Sequence, residues 1–412
     1  MEINIKNQWG IIDGINKGEA KNNSKKFWDN IENGQTLYLP NGTYEFNMIY
    51  LRGKDNVELY GEVDANGNLM TTIRFIPVTQ TPGEEQFNQH TFLKLDESDS
   101  FNIHDLIFDG REAVYEGGVM SENKDATNGI LKNLEIRDAF NVSCVIGGLG
   151  TQNVTVEDCT VYGQRGWSGD AKAMFLAGDF AEDITFKNCK TYSKSYYNPT
   201  TDYSPADHFD SDNGRNIEYH NCVADGTGTP DTRRGVGFWN EAYNENEYHE
   251  TSSVYYDCTA IKTDGGLAGT ENSDVVAHNF TFIECSYTGW AAWARCCGNF
   301  ELYDSLFDGC ASIDGHGEKR GGIAIEGAPY EKFIKIKRNR FINTPIDDPN
   351  YDNISLYSPQ FNNGVIEIID NTFDDNVTAI THSNAENPVY VYWNLFEDFS
   401  TLHKNEPSTN YI

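Results

Sequence analysis

Residues 183–189, Asp-Ile-Thr-Phe-Lys-Asn-Cys, return in altered form at 216–222 as Asn-Ile-Glu-Tyr-His-Asn-Cys. In both, apolar residues stand five and three positions before the cysteine with polar residues between them. That period of two puts alternate side chains on opposite faces of a strand. Reading outward, the phrase recurs with its anchor at Cys159, Cys258, Cys285, Ser305, Asn339, Asn371 and Asn394. Ser253 is the one polar exception at the inner positions, and a late column of Phe307, Phe341, Phe373 and Phe396 stands two places after the anchors. From Cys159 onward, neighbouring anchors are 30, 33, 36, 27, 20, 34, 32 and 23 residues apart. Helical repeats and propeller blades keep a stricter period. A short, period-two, β-branched or aromatic phrase with variable spacing predicts a solenoid of strands whose corners differ in length.

One coil cannot bury its inner side chains alone, so like residues must stack at about 4.8 Å, the spacing between strands. The cysteines then form a ladder of inward, reduced thiols acting as small hydrophobes, and the asparagines a ladder of amides. Nine cysteines without a CxxC pair, only the vicinal Cys296-Cys297, fit neither a disulfide framework nor a zinc site.

The chain has 412 residues and a formal net charge of −32. Such a field repels nucleic acid and anionic membranes, and a polyanionic substrate would need a local basic patch or bridging cations. Aromatic residues make up 13% and many lie among Asn, Gly and Asp, a mix that suits sugar-stacking surfaces as well as core filling. No run approaches the roughly 20 apolar residues of a membrane span. The opening MEINIKNQWG lacks the layout of a signal peptide, so the expected extracellular or virion-associated protein leaves the cell by another route, rides on a particle, or has had a signal removed.

Residues 22–33 read as a short helix with Ser24 as N-cap, Phe27 and Ile31 on one face and Asn33-Gly34 as its stop. Alternating strands then flank Pro40-Asn41-Gly42, and a second pair follows near Val57–Gly61 and Thr72–Phe75. With this capping helix, the TLYLPNGTYEF entry and the Asn and Cys ladders, the chain resembles the right-handed parallel β-helix of the pectate lyase-like superfamily. The resemblance covers nearly the whole chain. It implies an all-β, single-stranded solenoid forming one domain over 1–412, with cap and entry at 1–50, coils over about 51–400 and a tail at 401–412. It further implies a polysaccharide partner and, from the tailspike depolymerases of the superfamily, a homotrimer.

A second strand precedes each phrase, as in AMFLAGD, DHFDSDN, GVGFWNE and AAWARCC. Counting back from Ile184 and Ile217 aligns Phe175, Ala177 and Asp179 with His208, Asp210 and Asp212. If Met174, Leu176 and Phe209 face inward, then Asp179, His208, Asp210 and Asp212 face out, and Asp207 falls at an inward or corner position that needs a partner. Outward carboxylates on adjacent coils lie roughly 5–7 Å apart, close enough to split their pKa values as an acid/base pair requires. Tyr203, Arg233, Arg234, Trp239, Glu241, Arg295 and Glu326 are candidates for holding substrate. The plain alternative is a solvated acidic face.

The same run, Asp210-Ser211-Asp212-Asn213-Gly214, offers hard oxygens at alternate positions, which makes calcium an alternative ligand; no cofactor is otherwise required. Asp179 and the Asp210/Asp212 pair resemble the carboxylates of polygalacturonases, but the one Gly-His-Gly, at 315–317, lies several coils away. His208, Tyr203 and Arg233 resemble the base and neutralising groups of uronate lyases and epimerases, without their characteristic motif. The expectation is a polysaccharide depolymerase acting by acid/base hydrolysis through Asp179, Asp210 and Asp212, with His208 tuning them. A lyase or epimerase, or a non-catalytic adhesion spike, is the alternative.

Overall fold

Each corner that ends a repeated phrase is made by a residue in the left-handed region immediately before the anchor. Asp158, Asn188, Asn221, Asp257, Asn279, Asp304, Arg338, Asp370 and Trp393 all have φ between 52° and 59°. Asn and Asp fill seven of these nine places, as expected of the side chains that adopt this conformation at least cost. The chain thus turns without a break in hydrogen bonding from one strand to the next.

The structure, a computed structural model, describes residues 2–16, 18–76, 93–110, 125–140, 142–165, 173–178, 180–197, 207–227, 235–242, 251–270, 273–285, 291–295, 298–310, 312–313, 319–320, 322–326, 333–343, 352–357, 365–374, 378–383, 389–397 and 403–405. The chain divides into two compact units, Met1–Ala206 and Asp207–Ile412. Each is a right-handed parallel β-helix, the fold that the resemblance implied. No helix among the described residues is long and apolar enough to cross a membrane.

In the first unit, the capping helix runs Ala20–Asn30, with Glu19 rather than Ser24 at the N-cap. Ser24 lies inside the helix, where its hydroxyl accepts from the backbone N–H groups of Asn47 and Met48 at 2.9 and 3.1 Å. It therefore ties the cap to the first coils instead of starting the helix. Phe27 packs edge-on against Phe46, 6.3 Å between ring centres. The Thr36–Tyr38 and Gly42–Phe46 strands pair in parallel with Glu58–Tyr60 and Thr71–Phe75.

Among the described residues, the second unit repeats a coil of three strands, beginning with Asp207–Asp212, Ile217–His220 and Val223–Asp225. The register follows the repeated phrase: Tyr219 pairs with Tyr255, Leu302 with Ile336 and Ile336 with Ile368. One coil departs from the sequence reading. Ala277 pairs with Leu302 and Phe282 with Phe307, which makes Phe280, not Cys285, the residue between Cys258 and Ser305. The N–H of Phe280 donates to Ser305 Oγ at 3.1 Å. The spacings of 27 and 20 become 22 and 25, from Cys258 to Phe280 and from Phe280 to Ser305. Cys285 belongs instead to a second column with Thr263 and Cys310, its thiol held by Thr263 Oγ1 at 3.3 Å. Two phenylalanines, 280 and 282, had offered two matches to one pattern.

The ladders are the core. Phe282, Phe307, Phe341 and Phe373 stack face to face at 4.4, 4.5 and 4.8 Å. Asn371 Oδ1 accepts from the backbone and side-chain N–H groups of Asn339 at 2.9 and 3.1 Å, and Asn394 Oδ1 serves Asn371 in the same way. Seven cysteines, 144, 159, 189, 222, 258, 285 and 310, are buried free thiols. A thiol reagent is expected to leave these seven unmodified in the native chain and to reach at least seven in denaturant without reductant. Fewer in denaturant would mean that some are paired.

Candidate active site

The second sheet of the second unit starts at Asp207–Asp212 and continues through Val236–Glu241, Gly265–Thr270, Ala292–Arg295, Ile323–Glu326 and Asp352–Tyr357. Phe209 faces the core, stacked on Phe238 at 4.7 Å and edge-on to Tyr219 at 5.7 Å. Ser211 is also inward, its hydroxyl 2.7 Å from that of Tyr219. Asp210 and Asp212 alternate with these two and are partly exposed on the outer face. Register then sets one outer column of Asp210, Trp239, Ala268, Trp293 and Ala324. A second pairs Asp212 with Glu241 and Thr270 with Arg295 and Glu326.

His208 does not join this face, contrary to the alternation argument. It is 0% exposed. One place before the Phe209–Phe238 pair, the next coil has Gly237, where an added Cβ would approach the side chains of Ala260 and Ala224 at 3.1 and 3.4 Å. That place looks into the core, and His208, one place before Phe209, is likewise buried where the strand leaves its corner. The alignment that set His208 beside Phe175 misleads for a related reason: Phe175 is itself inward, edge-on to Phe186 at 5.7 Å.

Asp207 holds the corner, as the sequence suggested, and has the partner it needs. Its Oδ1 accepts from the Val236 N–H at 3.0 Å. On the far side of the same segment, Asp264 Oδ2 accepts from the Gly235 N–H at 3.1 Å. Burial, only partly offset by the Val236 bond, with repulsion from Glu241 and Asp264, pushes the Asp207 carboxyl up to about 7. An acid raised above its unfolded value, about 3.9, favours the fold fully below that value and loses this contribution as pH climbs through 7. The thermal midpoint of the wild type is expected to fall between about pH 4 and 8 relative to Asp207→Asn, whose amide can still accept from Val236. Parallel profiles would assign the titration to another group.

Trp239 donates from Nε1 to Glu241 Oε2 at 3.0 Å, which fixes the indole along the strand. Its ring meets Trp293 edge-on at 6.0 Å, across the small Ala268 between them. Trp293, Asp264 and Thr270 are additions to the expected set. Thr270 has a buried hydroxyl with no hydrogen-bond partner among the described residues. Trp293 was legible as a second tryptophan in register two coils beyond Trp239. Asp264 and Thr270 had no signal of their own in the sequence.

Asp212, outward as expected, accepts from Asn213 Nδ2 at 2.9 Å. Arg295 and Glu326 occupy adjacent strands in register, and their side chains lie outside the described set. Asp179, Tyr203, Arg233 and Arg234 also lie outside the described residues. Among the described residues, no group of three or more His, Cys, Asp or Glu side chains converges as a metal site. Chemically, the face offers carboxylates in unlike environments beside two indoles.

No protein-family model matches the chain, and no curated protein matches it. Among solved structures, it is similar to the mannuronan C-5 epimerase AlgE4 A-module of Azotobacter vinelandii, at 15% identity over 100% of both chains with a TM-score of 0.57. It is similar to PfbA, a surface adhesin of Streptococcus pneumoniae, at 11% identity over 98% of this chain and 93% of that one, TM-score 0.54. The Agl-KA catalytic domain matches at 12% identity over 96% of this chain and 66% of its own, TM-score 0.52. At these identities the likeness carries the architecture alone, and the chain is a parallel β-helix.

Proposed function

We propose that the protein is a polysaccharide depolymerase that hydrolyses glycosidic bonds on the outer face of the second unit's second sheet. The observation that carries the reading is the outer face itself, where Asp210 and Asp212 alternate with the inward Phe209 and Ser211 beside Trp239 and Trp293. Acid/base hydrolysis needs one carboxyl that keeps its proton near neutrality and another that has lost it. Trp239 and Trp293 supply aromatic surface for a sugar ring, and Glu241 fixes the first of them. The reaction itself calls for no metal ion. The name of one neighbour, a surface adhesin, agrees with a role outside the cell.

Incubation with a panel of bacterial and plant polysaccharides, read for reducing ends and ultraviolet absorbance together, tests this. New reducing ends without absorbance are expected. An unsaturated, absorbing product would establish a lyase instead, and retention without cleavage an adhesin.

A further inference from the structure

The first unit carries a group of tyrosines that the catalytic reading leaves unused. Tyr196 and Tyr197 follow the Lys190–Tyr192 strand and are 42% and 38% exposed. Exposed aromatic residues on a connecting segment are ordinarily free to move. These are pinned. Asp138, itself buried, accepts from Ser195 Oγ at 2.7 Å and from the Tyr196 N–H at 2.9 Å. Beneath the segment, Gly163 has φ +51°, and a Cβ there would come within 2.6 Å of Ser195 Cα and 2.7 Å of Asp138 Oδ1. Only glycine allows that approach.

The rings are ordered by their neighbours as well. The Arg137 guanidinium lies 3.7 Å from the Tyr196 ring centroid and is itself paired with Glu135. Tyr162 stands edge-on to Tyr196 at 5.3 Å and stacks on Tyr192 at 5.0 Å. Tyr197 is edge-on to Tyr196 at 5.2 Å, and its hydroxyl bonds to Asp109 and Arg137. With one face of Tyr196 against Arg137, its exposure falls on the remaining face and rim.

We propose that Tyr196, with Tyr162, Tyr192 and Tyr197 around it, is a carbohydrate-binding subsite that holds one sugar ring of a polysaccharide without taking part in cleavage. A flat aromatic face suits the C–H face of a pyranose, and the phenols beside it suit ring hydroxyls. Because the segment is ordered in advance, little conformational freedom remains to be lost on binding. Arg137 is already neutralised by Glu135, so the site has no surplus positive charge to select a polyanion. A neutral sugar is the ligand it fits.

The subsite stands apart from the hydrolytic reading and is tested by binding. The intact chain is run through native gels containing each soluble member of the polysaccharide panel, neutral and uronate, and retardation gives Kd. At least one neutral polysaccharide is expected to retard the wild type and Asp210→Asn alike. Tyr196→Ala should weaken that binding about tenfold, with Tyr196→Phe within about twofold of wild type. Tyr196→Leu, which keeps bulk over Arg137 without an aromatic face, carries the same expectation if Tyr196→Ala fails to fold. Unchanged retardation of the Ala or Leu variant overturns the proposal. So does a wild type that no neutral polysaccharide retards, or binding lost in Asp210→Asn but kept in Tyr196→Ala.

Discussion

Replacing Asp210 or Asp212 by asparagine is expected to lower turnover at least about a hundredfold while leaving the fold intact. Both side chains project from the outer face of one strand, alternating with Phe209 and Ser211, which hold the strand down. Asparagine preserves shape and the hydrogen bonding of one oxygen but can neither give nor take the reacting proton. The two carboxylates are two residues apart on an extended strand, roughly 6.5–7 Å between side-chain origins. That favours the wider arrangement, about 6.5–9.5 Å, in which a water fits and the anomeric configuration inverts. Initial rates on a substrate from the panel, with thermal midpoints measured alongside, check the expectation. Near-wild-type rates in both variants would move the active site away from this face.

The largest effect on stability is expected at Phe238. Its ring is fully buried, stacked on Phe209 at 4.7 Å and met edge-on by Tyr219, Tyr255 and Phe280 at 5.8, 5.5 and 5.2 Å. Phe238→Ala would empty the point where the inner face of the sheet bearing Asp210 meets the ladders opposite, at a cost of about 3–5 kcal/mol. Denaturant titration of the variant against wild type measures this. A loss under about 1 kcal/mol would mean that the neighbouring rings close over the gap.

The scaffold was far more legible than the site, for a physical reason. A ladder position repeats in every coil, so one ambiguous phrase is corrected by its neighbours. Even the misplaced anchor at Cys285 left the fold reading unaffected, since Phe280 and Phe282 are inward and two apart under either reading. The outer face has no such redundancy. Asp210 and Asp212 follow from the inward Phe209, but His208 lies where the strand leaves its corner and is buried along with Phe209. Asp264 acts from a corner outside any repeated phrase, and the raised pKa of Asp207 depends on burial that alternation does not encode.

The left-handed corner residues have a consequence for how such a molecule can change. Because every coil is closed by the same local turn and held by the same columns, the core does not sense how much chain lies between one phrase and the next. The described ladder accepts 22 residues from Cys258 to Phe280 and 36 from Cys222 to Cys258 with no loss of register. Closing a longer excursion costs only about 0.6 kcal/mol per doubling of its length. Corners can therefore lengthen, shorten or be exchanged one at a time, reshaping the surroundings of the outer face while the strand carrying Asp210 and Asp212 stays where it is. A scaffold of this kind can acquire new specificities by insertion and deletion, a route that a core packed from distant parts of a chain would close.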